Sequence, residues 1–442
     1  MGQGVLTGAG PRAATPAQRA ALFEAAGLAR EAGSLRLGGV PLTEVADAAG
    51  TPVFVYHADA IRRQYAALDE AMAGVPHRIA YAVKANGSLA VLRVLRDLGA
   101  GADIVSGGEL ARALAAGFAP DRIVFSGVGK SDVELEAAIG QGIGHLHLES
   151  HAELEAIARI AEQLGRDTAV GIRVNPDVSA RTHPFIATGQ GGIKFGVPHD
   201  QVRELAREVA RHPRLRLDSL AMHIGSQLLE VGPYVEGLRR VLGLVGQLRS
   251  DGAAELRTLD LGGGLGIRYL DEDPLDPRDL AAAVVPLVRD AGLTLVLEPG
   301  RFLVGSAGVL LTEVLSRKHS GGKELVIVDA GMNDLVRPSH YLAYHDMVEL
   351  EARGQAEIQM DVVGPVCETG DFLALDRPLP GLVRGDRLAV LNAGAYGFVM
   401  SSNYNARPRA AEVLVDGGRW AVVRPRERVE SLFAGEVASP FP

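Results

Sequence analysis

Lys84 lies in the segment YAVKAN (Tyr81–Asn86), at the end of an apolar run with strand character. Placing an ammonium there is costly, because desolvation penalises the charge. Two readings are open. The aliphatic stem can run along the apolar surface while the charged head reaches the rim. Alternatively the amine is used covalently by a carbonyl compound, and burial assists by lowering its pKa. Gly262-Gly263-Gly264-Leu265-Gly266 follows another strand-like segment. Bare glycines let several backbone N–H groups face an anion, although a tight turn would use the same residues. The spacing does not fit G-x-G-x-x-G, so no dinucleotide site is inferred. Glu298, Pro299, Gly300 and Arg301 end a third such segment. A carboxylate at Glu298 could pair with a protonated pyridine nitrogen and keep that ring an electron sink. His223, in HIGSQ (His223–Gln227), could lay its flat imidazole on the ring, and Ser226 could donate to a phosphate. The competing reading of His223 is a hydrogen-bonded core histidine. His145 and His147 form an H-x-H pair of metal-binding spacing, but companion ligands are not evident and no metal site is expected.

Cys367 is the single cysteine of the chain, so neither an internal disulfide nor a cysteine-based zinc site is expected. Thiols commonly fill cores. This one stands in VGPVCETGD (Val363–Asp371), among charges and glycines that suit a loop. Tyr396, in GAYG (Gly394–Gly397), puts an aromatic hydroxyl on another loop.

The elements that must position these groups follow a rhythm. From about Arg78 to Gly305, short β-rich apolar runs alternate with segments of helical period. Strands are expected at Ile79–Val83, Ala102–Val105, Ile123–Phe125, His145–Leu148, Ala169–Val174, Leu217–His223, Thr258–Leu261 and Thr294–Leu297, with helices such as Leu89–Leu98 and Ala152–Leu164 between them. Eight strands alternating with helices suggest a (β/α)8 TIM-type barrel rather than an open doubly wound sheet, and the strand count decides between them. Most of these strands end in polar or glycine-rich residues: Lys84 and Asn86, Ser106, Ser126, Glu149, Arg173 and Asn175, His223 and Ser226, the glycine run, and Glu298 with Arg301. In a β/α barrel all such ends share one face, where active sites form. TIM-type barrels often bind phosphate after the last two strands, where the glycine run and Pro299-Gly300-Arg301 fall.

Beyond Ser306 the helical segments give way to strand candidates separated by turns: Val309–Leu315, Glu324–Asp329, Glu357–Val363, Arg387–Leu391, Ala411–Val415 and Arg419–Val423. The expected organisation is a flexible tail (1–20), an N-terminal segment joining the β domain (21–55), a β/α barrel (56–305) and a C-terminal antiparallel β domain (306–442). Hydrophobic residues make up 47% of the 442 and charged residues 22%, which suits two folded domains rather than disorder. A net charge of -9 argues against nucleic acid or an anionic membrane as the main partner. There is no signal-peptide pattern and no apolar run of membrane-spanning length, so a soluble cytoplasmic protein is expected.

Taken in order, GTPVFVY (Gly50–Tyr56), YAVKAN, GADIVSGGEL (Gly101–Leu110), KFG (Lys194–Gly196), HIGSQ, the glycine run, EPGR (Glu298–Arg301), MNDLVRP (Met332–Pro338), CETGD (Cys367–Asp371), GAYG and SSNYNARPR (Ser401–Arg409) resemble the diaminopimelate decarboxylases, in the alanine-racemase-like, fold type III group of pyridoxal-phosphate enzymes. The resemblance runs from about Leu37 to the C-terminal region. It implies pyridoxal 5'-phosphate as cofactor, Lys84 as the Schiff-base lysine, His223 as the residue stacked on the ring and Glu298 as partner of the pyridine nitrogen. It implies Ser226, Gly264, Pro299, Gly300, Arg301 and Tyr396 as the phosphate cradle and its surroundings. Substrate contacts would come from Arg301, Arg337, Tyr341, Glu368 and Tyr396. Cys367 would be the acid that protonates the substrate carbon, and its loop would reach the neighbouring subunit's barrel, so a homodimer with shared active sites is implied. The implied reaction is decarboxylation of meso-2,6-diaminopimelate to L-lysine. A distal ammonium suits Glu368, and a distal carboxylate suits Arg301 and Arg337 through bidentate pairing.

The alternative enzyme is a decarboxylase of the same fold acting on ornithine, lysine, arginine or a diverged pathway intermediate. The first three lack a distal carboxylate, which would leave Arg337 without its ligand partner. A different class, a binding-only pyridoxal-phosphate carrier, is disfavoured by the β domain and by the presence of both Lys84 and Cys367.

Overall fold

The computed structural model describes residues 13–178 and 194–438; residues 1–12 of the expected tail lie outside the described residues. The chain divides into two compact units, one of Arg62–Ile267 with Asp273–Leu303, the other of the chain up to Ile61, Arg268–Glu272 and the chain from Val304 onward.

The first unit is a closed parallel barrel of eight strands: β1 (His77–Ala82), β2 (Gly101–Ile104), β3 (Ile123–Phe125), β4 (His145–Leu148), β5 (Thr168–Asn175), β6 (Leu215–Met222), β7 (Thr258–Asp260) and β8 (Thr294–Leu297). Each strand pairs in parallel with its sequence neighbour, β8 pairs with β1, and β4 with β5, so no edge is left open. The strands are continuous apolar runs because both faces are buried: Ile123, Val124 and Phe125 of β3 are all buried, as are all four residues of β2. Serines at the strand ends start the helices that follow. Ser106 Oγ accepts from Glu109 N at 3.2 Å and caps helix Gly107–Ala116, Ser131 forms a capping box with Glu134, and Ser150 caps His151–Leu164. A side-chain oxygen at such a position satisfies one of the free N–H groups of the first turn. Ser106, which the sequence places among the polar strand ends, is therefore a helix cap.

The second unit is built on β9 (Gly308–Ser320), β10 (Lys323–Val328), β11 (Met347–Glu349), β12 (Glu357–Val363), β13 (Phe372–Pro380), β14 (Arg387–Val390), β15 (Ala411–Asp416) and β16 (Arg419–Arg424). The N-terminal strand Val53–His57 lies between β9 and β15, antiparallel to the first and parallel to the second. The main path is β13-β12-β10-β9-(Val53–His57)-β15-β16, and β14 joins β9 to β11. Pairing is mostly antiparallel; β10 with β12, like Val53–His57 with β15, is parallel. Val53, Val55, Val309, Leu311, Val413 and Val415 form one core with Leu35, Leu37 and Leu42. Burying side chains of this size contributes roughly 1.5–3 kcal/mol each. Leu35 N also donates to Leu350 O at 2.7 Å, so the N-terminal segment is held by backbone as well as by packing.

The chain is ordered as helix earlier than the tail expected over 1–20 allows. Pro16–Ala26 is an α-helix, started by a Thr15–Gln18 capping box with proline in the first turn and stopped by Gly27 at φ 75°. Arg19 of this helix pairs with buried Asp346 at 2.9 Å.

Candidate active site

Lys84 does not end its strand. β1 stops at Ala82 and Lys84 sits in the 3-10 turn Val83–Ala85 that follows. Its Nζ donates to Oδ2 of fully buried Asp103, from β2, at 2.8 Å. Asp103 Oδ1 is buried without a hydrogen-bond partner among the described residues. Glu109, in the following helix, accepts from Val105 N at 2.8 Å. Burial, with the charge of Asp103 adding to it, pushes the Glu109 carboxyl up to about 7.

His223 immediately follows β6. Its Nδ1 accepts the Gly263 N–H at 3.2 Å, which fixes that nitrogen as the unprotonated one and leaves Nε2 as the donor. Burial first, then the cations Arg173 and Lys84, hold its pKa well below the usual imidazole value. A neutral, oriented ring results.

The glycine run wraps closely around this turn. Gly262 N donates to Asp260 Oδ1 at 2.8 Å, and Glu298 N to Gly262 O at 2.8 Å. A Cβ on Gly263 would lie 2.2 Å from Glu298 O, and one on Gly264, at φ 101°, would lie 2.5 Å from Gly225 O. Only glycine allows this approach of loop to loop. Gly300 is confined in the same way, since its Cβ would meet Ala85 Cβ at 2.9 Å. Arg301 Nη2 donates to Ser226 Oγ at 3.2 Å, joining the loops after β6 and β8.

Glu298 is buried beside further acids. Oxygens of Glu298 and Asp260 and a nitrogen of His147 lie within 4.8 Å of one another, the one such grouping of histidine and acidic groups among the described residues. Ser126 Oγ reaches both His147 Nδ1, at 3.0 Å, and Glu298 Oε1, at 3.4 Å. Burial, then the negative charges of Asp103 and Asp260, raises Glu298 well above the ordinary carboxylate range, and burial raises Asp260 to about 6. His147 is pushed well below its usual value by burial first, so it stays neutral. His145 turns elsewhere, to Asp218 at 3.0 Å.

The barrel unit thus brings together Lys84, His223, Ser226, Gly264, Glu298, Pro299, Gly300 and Arg301. Arg337, Tyr341, Cys367, Glu368 and Tyr396 belong to the second unit. Arg337 opens the short helix Arg337–Tyr341 and is buried, with its guanidinium 4.9 Å from the centroid of the Tyr269 ring. Tyr341 makes an edge contact with His340, ring centroids 4.5 Å apart. Cys367 is exposed, and its N–H donates to Asn405 Oδ1 at 2.8 Å. Glu368 hydrogen-bonds Tyr404 and raises that phenol's pKa. Ser339 Oγ donates to Gly370 O at 2.6 Å and ties the Arg337 helix to the Cys367 loop. Tyr396 sits in a separate turn with φ 56°.

Asp103, Asp260, His147 and Arg173 act on Lys84, Glu298 and His223 through contact or charge, and sequence reasoning gave them no role. The signal was available for two of them: Asp103 in GADIVS and Asp260 in LDLGGG are acids inside or at the end of apolar runs, where an unpaired carboxylate is costly.

Residues 58–305 match the family described as "Pyridoxal-dependent decarboxylase, pyridoxal binding domain". The chain is 50% identical over 402 residues to a diaminopimelate decarboxylase of Pseudomonas aeruginosa, covering 91% of this chain and 96% of that protein. The crystal structure of diaminopimelate decarboxylase from Helicobacter pylori complexed with L-lysine superposes with a TM-score of 0.86 at 40% identity, covering 89% of this chain and 98% of that one. The enzyme of that name from M. jannaschii in co-complex with L-lysine superposes at 0.89 with 35% identity, covering 93% and 98%.

Proposed function

The chain belongs to the diaminopimelate decarboxylases, and on that premise we propose that it removes carbon dioxide from meso-2,6-diaminopimelate to give L-lysine, with pyridoxal 5'-phosphate as cofactor. The observation that carries the reading is the barrel-end constellation of Lys84, neutral His223 and buried Glu298 around a glycine-built loop.

The residues fit the cofactor's chemistry. Glu298 and Asp260 are buried acids raised first by desolvation, with the charge of Asp103 adding to both and that of Asp260 to Glu298. A cationic ring nitrogen against Glu298 would relieve both costs. The glycine run, Gly300, Ser226 and Arg301 supply backbone and side-chain donors for a phosphate. Pyridoxal phosphate supplies a carbonyl for the substrate amine and a conjugated ring that accepts the electron pair left by departing carbon dioxide.

The chain's own residues do the rest. Lys84 would hold the cofactor through its amine, and Asp103 fixes the position of that amine. His223 presents a neutral face fixed by Gly263. Glu298, with Ser126, His147 and Asp260 beside it, would face the ring nitrogen and favour its protonated form. By the family resemblance Arg301 and Arg337 would take the distal carboxylate of the substrate and Glu368 its ammonium, with Tyr341 and Tyr396 as further substrate contacts. Cys367 gives its thiol proton to the α-carbon. Each turnover replaces a carboxylate by that hydrogen, so one proton must return to the thiol. The loop of Cys367 serves the site of a second copy, which makes the enzyme a homodimer with shared sites. No described helix is long and apolar enough to cross a membrane, and we place the enzyme in the cytoplasm.

Lys84→Ala tests the cofactor assignment. The purified wild-type protein should show the visible absorbance of cofactor bound to lysine, and the variant should lose it. An identical spectrum from the variant removes Lys84 from its role.

A further inference from the structure

We propose that Asp371 is a positioning residue that sets, through one carboxylate, both the turn leading to Arg337 and the loop carrying Cys367. The inference rests on the reading that Arg337 binds substrate and Cys367 delivers the proton, and it adds a residue to which that reading gives no part.

Asp371 is buried, 4% exposed, four residues after Cys367. Its Oδ1 accepts the Met332 N–H at 2.6 Å, and its Oδ2 accepts the Val366 N–H at 2.6 Å. Met332 begins MNDLVRP, the segment that delivers Arg337; Val366 directly precedes Cys367. One side chain therefore holds two segments 34 residues apart in sequence (366 − 332 = 34) by one short, charge-assisted bond to each. Glycines make the approach possible. A Cβ on Gly364 would lie 2.4 Å from Asp371 Oδ2 and 2.5 Å from Gly331 Cα, and one on Gly331 would lie 3.1 Å from both carboxylate oxygens. Asp371 also closes its own loop: its N–H donates to Glu368 O and its carbonyl accepts from Gly364 N, both at 3.1 Å. Ser339 Oγ to Gly370 O, at 2.6 Å, adds a second tie between the two segments.

Two N–H donors on two different oxygens call for a group that only accepts. A carboxylate does this, whereas the amide of asparagine must turn an NH2 toward one of the donors. Burial raises the Asp371 pKa while the Met332 and Val366 N–H groups oppose that rise. Those two bonds therefore stabilise the ionised form that the geometry requires.

The test uses the full-length holoenzyme. Asp371→Asn should lower kcat/KM for meso-diaminopimelate by about 100-fold, the scale of losing a buried charge-assisted bond to each segment. The loss should be split between a raised KM, from the Arg337 turn, and a lowered kcat, from the Cys367 loop. The absorbance of lysine-bound cofactor should stay as in the wild type. Because Cys367 is the single cysteine, its rate of alkylation by iodoacetamide reports the loop directly, and it should change by about 5-fold or more. Wild-type kcat, KM and alkylation rate in a folded Asp371→Asn protein would overturn the proposal. Arg337→Ala and Cys367→Ala are measured in parallel. If both turn over like the wild type, the roles of those residues fail, and the alkylation rate alone then decides whether Asp371 holds the loop. If Asp371→Asn does not fold, Ser339→Ala takes its place. It should raise KM by about 5-fold with cofactor absorbance intact, and an unchanged KM would overturn the link between the two segments.

Discussion

Glu298→Gln separates the chemical account from ordinary structural damage, because activity and stability should move in opposite directions. Glutamine has the shape of the protonated glutamate but cannot ionise. In the protein without cofactor, Glu298 is raised well above 4.5 by burial and by Asp103 and Asp260. Between the ordinary carboxyl value and that raised value the folded chain binds more protons than the unfolded chain. Folding stability therefore falls as pH rises through that window, by about 1.4 kcal/mol for each pH unit. Glutamine removes this penalty, so the cofactor-free variant should be more stable than wild type at pH 8, with the difference vanishing at pH 4. Catalysis should go the other way. Without an anion opposite the ring nitrogen, the charge that develops as carbon dioxide leaves loses its counter-charge, and kcat should fall by about 100- to 1000-fold. Denaturant unfolding of the cofactor-free proteins at the two pH values, with carbon dioxide release by the loaded ones, gives both numbers. A variant less stable than wild type at pH 8, or one with kcat within about 3-fold of it, would refute the reasoning.

Arg337→Ala should raise KM for diaminopimelate by about 100-fold or more, because a buried bidentate partner of the distal carboxylate is lost. Any activity on lysine or ornithine should change little by comparison; equal losses on all substrates would argue against a carboxylate role. Cys367→Ala should slow kcat without releasing cofactor, read as turnover against the visible spectrum, and wild-type turnover would take the thiol out of the mechanism. Asp334, buried and raised to about 7, accepts from Gly331 N at 3.0 Å. Asp334→Asn should therefore gain stability above pH 7 and none near pH 4, as measured by denaturant unfolding.

Much of this could be read from the residues. His145–Leu148, Ile123–Phe125 and Thr294–Leu297 are short apolar runs between helical segments, and they are strands with those bounds. β13 escaped notice because Asp376, Arg377, Pro378 and Pro380 break the apolar pattern. It tolerates prolines because it is the outer strand of its sheet, where missing donors face no further partner. β9 runs five residues past its expected end at Leu315, through exposed Ser316–Ser320 (320 − 315 = 5). Those residues pair with β10 across the left-handed Gly321 and Gly322, at φ 58° and 78°, so the two-glycine hairpin turn rather than hydrophobic pattern extends the strand. In the site, Lys84 and the glycine run announce themselves by type. Asp103 and Asp260 show only as costly acids in apolar runs, and Asp371, beside Gly370, resembles any turn residue; what each does depends on which backbone N–H groups or ammonium meets it in space. The motif CETGD singled out its first two residues for chemistry, while the geometry gives its last one the work of holding them.

The most direct measurement is carbon dioxide release from a panel of amino acids by the holoenzyme, with products identified. The account predicts rapid release from meso-2,6-diaminopimelate with L-lysine formed in equal amount, and little from its stereoisomers, ornithine, lysine or arginine. Faster release from ornithine, lysine or arginine than from meso-diaminopimelate would contradict it.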